Sequence, residues 1–480
     1  MDFVVGRQEE KAILDSKLNS GIPELIAVYG RRRVGKTHLI RSYLKDHIVF
    51  EMAGIHAANL REQLNNFNIS LAKSIGSKIL PAPPANWQEA LNNLDNYLLN
   101  NLEGRKPIVV FFDEFPWIHT PKSNFLRAFD HWWNSSGTKR NNLKVIICGS
   151  AASWMIDKVI NDRGGLHNRV TQKLKLLPFH LSDTYDFLQL RKIKLDYYQC
   201  LQLYMAMGGI PFYLQQIEPG ESAAQVIDRL CFTKDGILKS EFSNLYRSLF
   251  NNAEQYEKIV RSLSQKPSGL TRDEIISTCK LSSGGGTTRI LQELEEAGFI
   301  AQYIPFGKSS KEGVYKLIDE YSIFYQKFID GTRSTGKGTW LRKFNSPAYR
   351  SWTGIAFESV CLKHILQIKR VLGIEGVLTE ESVWRHIPKK GGDQRGTQID
   401  LVLDRQDHCI NICEVKFSNG EFIIDKKYAT VLDNKVNTFR RETATRKSLF
   451  LTFITTYGAK KNEYYTGRVV SEIVMNDLFK

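Results

Sequence analysis

The octapeptide Gly30-Arg31-Arg32-Arg33-Val34-Gly35-Lys36-Thr37 separates two glycines by four residues and follows them with Lys and Thr, the spacing of a phosphate-binding loop. Its flanks agree with that reading. Leu25-Ile26-Ala27-Val28-Tyr29 is a short apolar run expected as a buried strand, and Thr37 to Leu44 carries a helical pattern. Glycines at these positions let the backbone curl until successive N–H groups and the helix N-terminus face a polyphosphate. Lys36 would meet the terminal phosphates and Thr37 would ligate magnesium. The alternative is an ordinary glycine turn between a strand and a helix.

A second apolar run, Pro107-Ile108-Val109-Val110-Phe111-Phe112, ends in Asp113-Glu114. Downstream of a phosphate loop, such a pair supplies a magnesium-holding Asp113 and a Glu114 that orients or polarises the attacking water; paired acids also close plain turns. A third run, Lys144 to Gly149, ends in Ser150. In a sheet whose phosphate site lies beyond the strand C-termini, Ser150 either senses the terminal phosphate or caps the next helix. Arg169, and after it Arg163, precede the apolar Leu174 to Phe179, where an arginine can reach a γ-phosphate in its own or a neighbouring subunit. Either could equally be a surface residue.

At 480 residues the chain exceeds one hydrophobic core, and two to four domains are expected. Its 42% hydrophobic and 24% charged content are those of a globular protein. No apolar run reaches membrane-span length and the N-terminus lacks a signal-peptide pattern, so a cytoplasmic protein without a membrane partner is expected. The seven cysteines form no CxxC pair, which argues against a disulfide framework or a zinc site. The net charge of +15 suggests a polyanionic partner. Its distribution matters more, because residues 342–480 carry +7 and residues 251–306 carry −1.

Taken together, Gly6-Arg7 with Glu9 and Glu10, the arginine-rich loop, Asp113-Glu114, Gly149-Ser150 and Gly208-Gly209-Ile210-Pro211 resemble the archaeal-type ATPase family, in the AAA+/STAND branch of P-loop NTPases. The resemblance covers roughly residues 3–250. It implies ATP and Mg2+ as cofactors, an adenine pocket bordered by Val4-Val5-Gly6-Arg7, and a helical lid from which Pro211 packs near the base. Arg169 acting from a neighbouring subunit would require a homo-oligomer.

From 251 to 330 the pattern of three helices and two strands predicts a winged helix-turn-helix. Its third helix, Thr287 to Glu296, holds one Arg, Arg289, against three Glu. A net-acidic helix is a poor duplex reader, so a structural or regulatory role packed against the lid is favoured. Gly331 to Thr339 reads as a flexible linker.

Beyond it, Gly396 to Asp404 and His408 to Phe417 read as neighbouring strands. Alternation puts Glu414 and Lys416 on one face, within reach of Asp400, and the helix from Thr353 to Arg370 presents Glu358. Carboxylates that hold magnesium, with a lysine beside them, are the minimum apparatus for phosphodiester hydrolysis. Asp400, Glu414-Val415-Lys416 and Glu358 resemble the PD-(D/E)XK nuclease superfamily, although Ile399 stands where that pattern has Pro. The resemblance implies Asp400, Glu414 and Glu358 as metal ligands and Lys416 as the catalytic lysine. A surface ion pair or a degenerate docking fold would leave the same residues. Lys389, Lys390, Arg395, Lys426, Lys427, Arg440, Arg441, Arg446 and Lys447, with Trp384, Tyr428 and Phe439 among them, suit a nucleic-acid backbone and unpaired bases.

The expected fold class is therefore α/β. A P-loop ATPase core (1–180) leads to a helical lid (181–250), a winged helix (251–330), a linker (331–341) and an α/β nuclease-like domain (342–480). The leading functional expectation is an ATPase controlling a nuclease that acts on nucleic acid, DNA favoured. Its rivals are a switch whose C-terminal domain binds DNA or a protein without cutting, and an ATP-dependent transcription regulator.

Overall fold

The computed structural model describes residues 4–77, 79–102, 106–150, 152–160, 166, 168–250, 252–332, 336–388 and 396–480. It divides into two compact units, Met1–Pro178 and Phe179–Lys480. Among the described residues no helix is long and apolar enough to cross a membrane.

The first unit is a parallel sheet of β1 (Glu24–Tyr29), β2 (Ile48–Ala53), β3 (Ile108–Asp113), β4 (Leu143–Gly149) and β5 (Gln172–Lys175), in the order β2-β3-β4-β1-β5. Strands β3 and β4 are buried along their whole length, as uninterrupted apolar runs require when both faces of a parallel sheet are covered. Helix α1 (Gln8–Leu18) precedes the sheet and α2 (Lys36–Tyr43) follows β1. Helices α3 (Leu60–Ile75), α4 (Trp87–Leu102) and α5 (Phe125–Ser135) pack with the sheet around Phe67, Trp87, Phe112, Phe125 and Phe129. The start of α3 is fixed by a capping box, Asn59 accepting from Glu62 N and Glu62 from Asn59 N. Because β4 lies between β1 and β3, the residue that ends it stands between the phosphate loop and the Asp-Glu pair.

The second unit opens with α6 (Leu181–Leu190), α7 (Tyr197–Met207), α8 (Ala223–Phe232) and α9 (Glu241–Leu249). The imidazole of His364, fully buried, organises the start of α6. Its Nε2 accepts the Leu181 N–H at 3.1 Å and its Nδ1 donates to Val360 O at 2.7 Å. Burial pushes its pKa down to about 3.

Next come α10 (Ala253–Gln265), β6 (Leu270–Thr271), α11 (Arg272–Cys279), α12 (Gly285–Glu296), β7 (Ile300–Tyr303) and β8 (Val314–Leu317), the strands forming an antiparallel sheet β6-β8-β7. Tyr246 of α9 packs on Phe299, just before β7, with ring centroids 4.6 Å apart. Their hairpin has a further contact. Pro305 bridges to Val383, Phe306 N–H donates to Val383 O at 3.0 Å, and the Phe306 ring lies 5.0 Å from Phe439.

The C-terminal part comprises α13 (Pro347–Lys363), β9 (Thr379–His386), β10 (Thr397–Arg405), β11 (Cys409–Lys416), α14 (Lys426–Thr443), β12 (Ser448–Thr455) and β13 (Val469–Val474). The sheet order is β13-β12-β11-β10-β9, antiparallel from β9 to β11 and parallel from β11 to β13.

Two expectations need correction. The stretch read as a flexible linker is anchored at Gly336, Gly338 and Trp340. Asp228 of α8 accepts the N–H groups of Gly338 and Trp340, both at 2.6 Å, and the Trp340 ring stacks on Phe232. Residues 333–335 lie outside the described residues. The glycines signalled freedom, but a buried carboxylate and an aromatic pocket far away in sequence remove it. Likewise Trp384 and Phe439, expected among base-stacking residues, belong to the buried core of the C-terminal sheet; Lys389, Lys390 and Arg395 lie outside the described residues.

Candidate functional site

In the first unit the loop geometry depends on its glycines. Gly30 has φ 145°, and a Cβ there would sit 2.3 Å from the Leu176 carbonyl oxygen, so no larger residue fits without moving β5's exit. Gly35 (φ 91°) starts α2, and Arg33 also has positive φ. Val34 is held from behind: the buried guanidinium of Arg7 donates through Nη2 to Val34 O at 3.1 Å and through Nη1 to Glu10 Oε1 at 3.1 Å. Gly6 and Arg7, both at φ 59°, form the turn that brings it there. Arg31 is buried, whereas Arg32 and Arg33 are half-buried.

Lys36 is 6% exposed and turns back over the loop, its Nζ donating to Gly30 O and Arg31 O, each at 3.0 Å. Thr37 Oγ1 donates to Asp113 Oδ2 at 2.9 Å, and Asp113 Oδ1 accepts the Glu114 N–H at 3.0 Å. Glu114 stands at φ 44°, which turns its carboxylate to Ser150, whose Oγ and N–H donate to Glu114 Oε2 at 2.8 and 3.3 Å. Gly149 is needed just before, because a Cβ there would meet Pro116 Cδ at 2.8 Å. One line of contacts thus runs from Thr37 through Asp113 and Glu114 to Ser150. Arg169 is exposed, and Arg163 lies outside the described residues. Pro211 belongs to the second unit, at the start of the short helix Pro211–Leu214.

The second unit holds the C-terminal acids. Glu414 is 1% exposed and carries three partners: Lys416 Nζ at 2.8 Å and Tyr428 Oη at 2.5 Å on Oε1, and Lys435 Nζ at 2.6 Å on Oε2. Burial would raise its carboxyl, but the two ammonium groups hold it below the ordinary value. Asp400 Oδ2 accepts the Val415 N–H at 3.1 Å. Burial first, then the charges of Glu414 and Glu358, push the Asp400 carboxyl up to about 7. Glu358 pairs at 3.0 Å with Lys316 of β8. Among the described residues, no group of three or more His, Cys, Asp or Glu side chains is arranged to hold a metal. Three carboxylates are thus set against three lysines. Sequence reading did not assign Lys316 or Lys435 to this cluster and gave Tyr428 a different task. The seven-residue spacing of Tyr428 and Lys435, which puts both on one face of α14, was the available signal.

Comparison with known proteins places this geometry. Residues 4–217 match the model of an ATPase domain found predominantly in Archaea. An uncharacterized protein of Methanocaldococcus jannaschii is 25% identical over 422 residues, 86% of this chain and 88% of that protein. An uncharacterized ATP-binding protein of the same organism is 50% identical over 42 residues, 9% of this chain and 71% of that protein. Among solved structures, a Walker-type ATPase of Pyrococcus abyssi aligns with TM-score 0.49 at 16% identity, covering 67% of this chain and 96% of that one. The family match and the Thr37–Asp113–Glu114–Ser150 line fall in the same segment, and residues 4–217 are an archaeal-type ATPase domain.

Proposed function

We propose that the chain binds and hydrolyses ATP with Mg2+ at the Gly30–Thr37 loop and uses that cycle to control a magnesium-dependent, nuclease-like site at Asp400, Glu414 and Lys416 acting on nucleic acid, DNA favoured. The observation that carries the ATPase half is the 2.9 Å contact between Thr37 Oγ1 and Asp113 Oδ2, two hard oxygen ligands already side by side. They would hold the ion, which supplies charge neutralisation at the phosphates when bound. Lys36 would exchange the loop carbonyls for phosphate oxygens. Glu114, fixed by Ser150, orients water. Arg169, being exposed, suits a role in a neighbouring copy of a homo-oligomer, and Pro211 would border the base.

For the C-terminal half, support comes from the order α13–β9–β10–β11–α14–β12, with Asp400 on β10 and Glu414-Val415-Lys416 on β11, as expected of a PD-(D/E)XK domain. Burial first, and then the neighbouring Glu414 and Glu358 charges, disfavour a bare Asp400 carboxylate, and a divalent cation bound there would offset that cost. We read residues 251–330 as a winged helix serving structure or regulation. Its Arg289 is paired with Glu293 at 2.9 Å, and its hairpin is engaged by β9. A second reading, a docking domain that does not cut, is favoured by Glu414 already holding two ammonium groups.

Cleavage of labelled single-stranded and duplex DNA and of RNA, with Mg2+ or Mn2+ and with or without ATP, tests the proposal. Cutting that vanishes in Lys416→Ala and changes in Lys36→Ala supports it. Intact ATP binding with no cutting of any substrate overturns the nuclease half and leaves the docking reading.

A further inference from the structure

Glu358 stands in two relationships. Its helix, α13, packs against β11, the strand that carries Glu414 and Lys416. Its ion pair, however, is with Lys316, and it does not converge with Asp400 and Glu414 into a three-acid group. Lys316 comes from outside the C-terminal fold, on β8, where its side chain is 7% exposed and its Nζ lies 5.6 Å from the Tyr303 ring centre. The hairpin that carries it is held by the Pro305–Val383 bridge and the Phe306–Phe439 ring contact.

The seam beside this pair is imperfectly filled. A cavity of about 40 Å³ is lined by Lys316, Leu317, Glu358 and Ser359 among others, and the buried Ser359 Oγ has no hydrogen-bond partner.

We propose that Lys316 is a positioning residue that holds Glu358 out of the Asp400–Glu414 cation site, so that undocking of the β7–β8 hairpin delivers the third carboxylate. This rests on the cation-site reading above. The physical basis is exchange of partners. A buried ammonium and a half-buried carboxylate satisfy each other while the hairpin is docked, and separating them leaves each charge seeking a new counter-ion. Withdrawal of Lys316 leaves an unpaired carboxylate on the helix that packs against β11, and a divalent cation bound there takes it as an oxygen ligand. An element between the ATPase domain and the C-terminal site would thereby set the affinity of that site.

The test is titration calorimetry of the full chain with Mn2+, without nucleotide, at pH 8. The Asp400→Asn protein defines binding elsewhere. Lys316→Met is expected to bind Mn2+ about tenfold more tightly than wild type through the added charge. Lys316→Arg should restore wild-type affinity, and Glu358→Gln in the Lys316→Met background should abolish the gain. Phe306→Ala, which loosens the hairpin while keeping Lys316, should also tighten binding and serves if Lys316→Met does not fold. Asp400-dependent binding that is unchanged or weaker in both Lys316→Met and Phe306→Ala overturns the latch while leaving the cation site standing. Absence of Asp400-dependent binding in every variant overturns the site reading and the latch with it.

Discussion

Acidification should loosen the second unit through a single imidazole. His364 titrates near 6.5 in an unfolded chain, and burial, aided by the nearby charges of His180 and Lys363, pushes it down to about 3 in the folded one. Between those values the unfolded chain binds a proton that the folded chain refuses. The stabilising effect of the neutral imidazole is full above pH 6.5 and is lost as pH falls toward 3. Linkage sets the loss at about 2 kcal/mol between pH 7 and 5 and about 3 kcal/mol by pH 4. A proton on Nε2 also removes the acceptor of the Leu181 N–H, so α6 should fray first. The assay is thermal unfolding of wild type and His364→Gln at pH 7 and 5. Gln retains a donor and an acceptor but does not titrate. Asp400, whose raised carboxyl favours the folded state on acidification, contributes equally to both proteins and cancels in the difference. The wild type should lose about 2 kcal/mol more than the variant between the two pH values. Equal losses would refute the reasoning.

Gly30→Ala should cut ATP turnover roughly 100-fold, because the displaced loop misplaces Lys36 and Thr37; steady-state hydrolysis with an unchanged circular dichroism spectrum checks it. Ser150→Ala removes the shorter of the two hydrogen bonds on the Glu114 carboxylate and should lower kcat roughly tenfold with nucleotide affinity kept, the pattern of an interaction used in the reaction rather than in binding. Asp228→Ala strands the Gly338 and Trp340 N–H groups and should cost about 3 kcal/mol. Limited proteolysis would then cut near residue 338, a site the wild type resists.

What could be read from the sequence was what short-range chemistry fixes. The Gly30–Thr37 loop, the strand ending in Asp113 and the face shared by Glu414 and Lys416 each declare themselves within ten residues, since glycine spacing and strand alternation are local rules. The parallel sheet followed from them. The rest depended on partners far apart in the chain. Arg7 reaches Val34, Asp228 reaches Trp340, and His364 reaches Leu181 across 183 residues. No pattern rule anticipates these, because each is chosen by tertiary packing. The glycine-rich stretch after residue 330 misled for that reason: composition reports what a segment could do alone, and burial reports what its neighbours allow. Lys316 and Lys435 were passed over because a lysine on an exposed-looking pattern gives no sign of the acid it will meet.

The hairpin loop laid against β9 has a consequence for how the protein can be handled. A terminal strand of an open sheet offers a row of free amide and carbonyl groups to any other chain, and proteins blunt such edges or cover them. Here Pro305 and Phe306 lie against β9 at Val383, in the middle of its edge, and the proline brings no amide of its own to offer. A fragment begun at residue 342, where the sequence suggests an independent domain, would lose that cover and uncover Phe439 together with the bare edge. It should self-associate, whereas a fragment begun at Phe179 should stay monodisperse in light scattering. The shortest stable piece containing the acid cluster is then set by the hairpin loop that shields its sheet's edge, well upstream of the residues that would do its chemistry.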